Sequence, residues 1–97
     1  MKIINPATEE LIKEVKDDNE SSLKRKWGLL KVAQEKWAER PLNERVEVLK
    51  KFSSLLERDI EQLASILTSE VGKPLAQSRN EIKGARSRIK WLSSQPT

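Results

Sequence analysis

The chain has 97 residues, 36% hydrophobic and 35% charged, with three Trp, one Phe, no Tyr, no Cys and no His. That excludes a disulfide framework, a thiol nucleophile, an imidazole base and the usual zinc and iron–sulfur sites, and it disfavours an all-β fold. A chain this short buries only about two thirds of its surface on folding, leaving little depth for a cofactor cleft.

Net charge is +4, but residues 1–72 carry 13 Lys/Arg against 14 Asp/Glu, whereas residues 73–97 carry 6 against 1. The basic excess therefore belongs to the last quarter. No stretch has the apolar core of a secretory signal or the run of 18 apolar residues needed to span a bilayer, and a cytoplasmic location is the expectation.

Two short apolar runs, Ile3-Ile4 and Leu11-Ile12, flank Asn5-Pro6-Ala7-Thr8, a segment suited to a turn, and predict a β-hairpin over residues 1–16. Two strands alone are marginal in water, so the hairpin has to lie on another element. Asp17-Asp18-Asn19-Glu20-Ser21-Ser22 supplies N-cap residues ahead of a first helix over 20–40, which carries Leu23, Trp27, Leu30, Ala33 and Trp37 on one side and ends at Arg40-Pro41.

A second helical stretch is predicted over 43–72, capped by Asn43 and closed by Gly72-Lys73-Pro74. Asp59 with Gln62 looks like a capping box in mid-run, and Glu57 and Asp59 suit the start of a new helix better than the continuation of an old one, so a kink is expected near Arg58-Asp59. An unbroken helix there would reach about 42 Å, longer than a compact domain of this mass is wide. The third helix is predicted over 74–93, with Leu75, Ile82, Ala85, Ile89 and Leu92 on one stripe, before a linker-like Ser93-Ser94-Gln95-Pro96-Thr97.

The stretch over 43–72 has a main apolar stripe, Val46, Leu49, Phe52, Leu56, Ile60, Leu63, Leu67 and Val71, and a second line, Val48, Leu55 and Ile66, about 100° away. A cluster of three helices covers the first stripe with the two flanking helices. The second line and Trp91 then remain exposed, which implies cover from outside these residues: a second copy of the chain in a homo-oligomer, a partner protein, or further sequence.

Taken in order, three groups of these residues are similar to the amino-terminal segment of the NAD(P)-dependent aldehyde dehydrogenase superfamily. They are Ile4-Asn5-Pro6-Ala7-Thr8 with Val15, then Trp37-Ala38-Glu39-Arg40-Pro41-Leu42 with Glu44-Arg45, then Glu70-Val71-Gly72-Lys73-Pro74-Leu75-Ala76-Gln77-Ser78 with Glu81-Ile82. The resemblance covers Ile3 to Leu92. It implies a hairpin and helices packed around a cofactor-binding domain, as one partial domain over 1–97, and a parent reaction that oxidises an aldehyde to an acid with NAD or NADP. It also implies that the catalytic thiol, acid/base glutamate, oxyanion amide and pyrophosphate-binding turn lie downstream. Where the family has glycine after Ala-Thr, this chain has Glu9, so a turn needing positive φ costs on the order of 1 kcal/mol.

The expected fold is therefore mainly α, with an amino-terminal hairpin and three helical stretches, incomplete without a partner or further chain. The expected role is that of a dehydrogenase fragment, inactive alone. No residue is assigned as catalytic, cofactor-binding or metal-binding: Gly28, Gly72 and Gly84 are too dispersed for a G-x-G-x-x-G turn, and Pro74 removes a donor from Gly72-Lys73-Pro74, which reads as helix punctuation. A helical self-association module is the alternative. A less favoured one is nucleic-acid binding by the ridge Arg79, Lys83, Arg86 and Lys90.

Overall fold

The computed structural model describes residues 1–96. Its order is β1 (Lys2–Ile4), β2 (Leu11–Glu14), α1 (Glu20–Glu39), α2 (Leu42–Arg58), α3 (Ile60–Val71) and α4 (Leu75–Ser93). The two strands pair antiparallel, Lys2 opposite Glu14 and Ile3 opposite Lys13, with a register shift before Ile4 meets Leu11. The architecture is mainly helical behind a short amino-terminal hairpin, and the second predicted stretch divides into α2 and α3.

Local chemistry accounts for most of the boundaries. Asn19 is extended, its side chain accepts the Ser22 N–H at 2.8 Å, and Ser22 Oγ accepts the Asn19 N–H at 2.9 Å. This reciprocal capping box satisfies two donors and starts α1. Pro41 stops α1 and stands at the cap of α2, whose first residue is Leu42. The expectation that Asn43 caps this helix is corrected. Pro41 has a φ of −54° and its carbonyl already accepts the Arg45 N–H at 3.2 Å, so Asn43 lies inside the first turn.

The kink falls at Asp59, which has φ −103° and ψ 17°. The predicted Asp59–Gln62 capping box does not form, because Arg58 holds the Asp59 carboxylate through Nε and Nη2, both at 2.9 Å. Backbone bonding continues across the bend, from the Asp59 N–H to Leu55 O at 3.0 Å and from the Leu63 N–H to Asp59 O at 2.9 Å. The rod is bent without being cut.

The bend lets α4 run back along α3 and then α2, and these contacts are the main packing between helices. The flanking-helix expectation is corrected: α4 packs along α2 and α3, where Val46, Leu56, Ile60, Leu63 and Leu67 are half-buried, but Leu49, Phe52 and Val71 of the main stripe stay exposed, and α1 makes no comparable interface. Leu23, Trp27 and Leu30 on α1 remain 57%, 64% and 70% exposed. At the centre of the α3–α4 seam the fully buried residues are small, Ala64 and Ser78, which permits close helix approach.

Candidate functional site

The three residue groups that carry the family resemblance sit at the three joints of the fold. In the hairpin turn, Asn5 Oδ1 accepts the N–H groups of Ala7 at 2.8 Å and Thr8 at 3.3 Å, and Asn5 O accepts the Glu9 N–H at 2.8 Å. Glu9 takes φ 64°, so the turn keeps its left-handed residue although the glycine is absent. The strand ends are closed by the bond from the Val15 N–H to Met1 O at 2.7 Å.

At the α1–α2 joint, Arg40 lies over the Trp37 ring, 5.3 Å from its centroid, while its Nε donates to Glu44 at 3.2 Å. Arg45 Nε returns to the Arg40 carbonyl at 3.1 Å. The chain corner is thus held on both sides of Pro41, which can donate nothing itself.

At the α3–α4 joint, Gly72 adopts φ 83° and its N–H reaches Thr68 O at 2.8 Å. A β-carbon at this glycine would come within 2.8 Å of Pro6 Cγ, so the hairpin turn rests directly on the joint. Lys73 pairs with Glu81, and Ser78 Oγ meets Thr68 Oγ1 at 2.8 Å. The lysine that sequence alone placed beside a glycine at a helix start is engaged by a carboxylate of the following helix.

Two ionic links tie the basic α4 to the acidic side of α2 and α3. Arg79 donates through Nε and Nη2 to both oxygens of Glu61, each at 2.9 Å. Arg86 donates through Nη2 to Glu57 at 2.8 Å and through Nε to Ser53 O at 3.0 Å. The Arg79 hydrogen bonds hold the Glu61 carboxyl below its usual range, and Arg58 does the same for Asp59. Lys26 and Ser22 lower Asp18 beside the α1 cap. Two members of the predicted basic ridge, Arg79 and Arg86, therefore face inward as cross-helix links, which weakens the nucleic-acid reading.

These links and the small-residue seam were missed from sequence. The available signal was the pairing of Glu57 and Glu61, one turn apart, with a ridge of arginines one helix later. The stripe of α4 that faces the bundle is partly polar, with Ser78, Ile82, Arg86, Ile89 and Ser93 all buried or half-buried. The apolar stripe read from sequence leaves Leu92 exposed.

Among the described residues, no three His, Cys, Asp or Glu side chains gather as a metal site. Gly28 lies within α1 and Gly84 within α4, away from the Gly72 joint, so no glycine-rich strand-to-helix turn is assembled for a dinucleotide pyrophosphate.

The dominant surface feature is apolar. Val48, Leu55 and Ile66 are exposed on α2 and α3, Trp27, Leu29, Leu30 and Val32 on α1, and Trp91 with Leu92 on α4. Total accessible surface is 8129 Å² for 11.2 kDa, against about 5,700 Å² for a self-contained monomer of that mass. The radius of gyration is 17.4 Å, against about 12.5 Å for a compact chain of this length. Trp27 and Trp91, 64% and 63% exposed, are among the large apolar side chains left uncovered in a chain with more surface than a self-contained monomer of its mass.

The chain is 35% identical over 89 residues to a 3,6-anhydro-alpha-L-galactose dehydrogenase of Vibrio sp. (strain EJY3), covering 92% of this chain and 18% of that protein. It is 36% identical over 93 residues to a succinate semialdehyde dehydrogenase of Acinetobacter baylyi, covering 96% and 19%, and 30% identical over 95 residues to malonate-semialdehyde dehydrogenase 1 of Shouchella clausii, covering 98% and 19%. The chain spans about a fifth of the length of these relatives. No solved structure matches it. The family model for the aldehyde dehydrogenase family matches residues 1–97, the same span that holds all three joints, and the chain belongs to that family as an amino-terminal segment of it.

Proposed function

We propose that this chain serves as a structural segment of an aldehyde dehydrogenase and does not catalyse by itself. It is one partial domain over residues 1–97 that supplies the hairpin and helices at the edge of a cofactor-binding domain. The parent reaction is oxidation of an aldehyde to a carboxylic acid with NAD or NADP, in the cytoplasm. None of its own residues is catalytic, cofactor-binding or metal-binding. The observation that carries this reading is the large apolar surface in a chain whose family relatives are about five times as long. The semialdehyde dehydrogenases among those relatives favour short aldehydes that also bear one carboxylate as the parent's substrates. The test is a turnover assay of the purified 97-residue chain with NAD and NADP against succinate semialdehyde, malonate semialdehyde and a neutral aldehyde. Nicotinamide reduction above the blank in any of them would defeat it.

A second reading, self-association through α2 and α3, is favoured by the exposed line Val48, Leu55 and Ile66. Under it the chain runs in light scattering at a multiple of 11.2 kDa, and Leu55→Glu returns it to a soluble monomer. An unchanged mass in that variant would leave the missing remainder of a dehydrogenase as the cover.

A further inference from the structure

α4 turns a second group of cations into the opening between itself and α2. Lys50 from α2 and Lys83, Arg86 and Lys90 from α4 line a cleft of about 650 Å³, together with five serines and one isoleucine. No described carboxylate lines it. The volume is within the range of small-ligand sites, roughly 300–1,000 Å³.

Arg86 is fixed from both sides, by Glu57 and by Ser53, and its Nη1 has no partner among the described residues. Lys83 and Lys90 have no carboxylate within ion-pair distance there, and Lys50 has only a long contact to Glu47 at 3.4 Å. Glu61, whose carboxyl Lys83 also helps to keep charged, is already occupied at both oxygens by Arg79. Ser87 Oγ is uncommitted, and Ser53 Oγ accepts from Arg86 Nε at 3.3 Å, which leaves its proton to donate. The cleft thus has a guanidinium held by Glu57, three ammonium groups of which Lys50 alone has a carboxylate contact, and spare hydroxyl donors.

We infer that the α2–α4 cleft binds a small multivalent oxyanion of the phosphate or pyrophosphate class. Convergent charged donors around a compact acceptor suit such a ligand. A continuous nucleic-acid backbone fits less well, because Glu47 and Glu57 flank the cleft along α2 and would repel the phosphates on either side. The inference concerns groups of this chain alone and is independent of the dehydrogenase reading.

Calorimetric titration of inorganic pyrophosphate into the 97-residue chain, at about 50 and 200 mM salt, tests it. The expected result is saturable one-to-one binding that weakens with salt. The double variant Lys83→Gln, Lys90→Gln loses about tenfold or more in affinity, as does Ser87→Asp, which sets a carboxylate into the cleft. Lys24→Gln on α1 binds as the parent chain does. Three results would overturn the inference: no saturable binding at the lower salt, equal loss in Lys24→Gln, or length-dependent binding of a single-stranded oligonucleotide tighter than that of pyrophosphate.

Discussion

Two left-handed residues, one natural for the conformation and one not, govern the hairpin and its seat. Glu9 holds φ 64° with a side chain that disfavours it, so Glu9→Gly is expected to stabilise the fold by up to about 1 kcal/mol, read as a higher urea midpoint at unchanged slope. Gly72 is the opposite case. Its φ of 83° and the 2.8 Å approach of Pro6 Cγ to a β-carbon mean that Gly72→Ala meets both backbone strain and a clash with the hairpin turn. A loss of about 1 to 3 kcal/mol is expected in the same urea experiment, with Pro6→Ala in the Gly72→Ala background recovering part of it. A Gly72→Ala midpoint equal to that of the parent would show that the hairpin does not rest on the joint.

At the scale of elements, the seam between α4 and α3 and the bend between α2 and α3 each hold a carboxylate that stays charged, Glu61 at the seam and Asp59 at the bend. Glu61 and Asp59 titrate below their usual range in the folded chain because arginines hydrogen-bond them. Their contribution is therefore complete above the unfolded carboxylate range, near pH 4, and is lost as pH falls through their lower folded values. The melting temperature is expected to decline as pH drops below about 4.5, and Glu61→Gln should flatten part of that decline while lowering stability modestly at neutral pH. An acid profile identical in Glu61→Gln and the parent would remove the Arg79–Glu61 link as its source.

These elements were largely legible in sequence, because caps and breakers act locally. Arg40-Pro41, the bend at Asp59 and the stop at Gly72 all follow from residues within a turn of the boundary. The partners of those residues were not legible. Asp59 is drawn to its neighbour Arg58, leaving Gln62 unpaired with it, and Ser78 finds Thr68, because such choices depend on which helix returns alongside. Periodicity likewise marks the apolar side of α1 but is silent on whether anything packs there. The charged links Glu57–Arg86 and Glu61–Arg79 span 29 and 18 residues, beyond the reach of local patterning.

For the molecule as a whole, the disparity between α1 and the rest has a measurable consequence. Most helical stability in a protein comes from tertiary packing, and α1 has a capping box, surface ion pairs and cation–π contacts but no helix interface comparable to that of α3 and α4. α3 and α4 are tied by buried contacts through Ala64 and Ser78. Hydrogen exchange of the 97-residue chain at low concentration is therefore expected to show central α1 amides at least about tenfold less protected than those in the middle of α3 and α4. Raising the concentration tenfold separates the two sources of cover. If copies pair through the Trp27 and Leu30 face, α1 protection climbs with concentration by mass action. If the cover is the remainder of a dehydrogenase chain, α1 stays fast at both concentrations while the seam remains slow. Equal protection of α1 and α4 in the dilute monomer would contradict the packing described here, since it would require α1 to be held by the rest of the same chain.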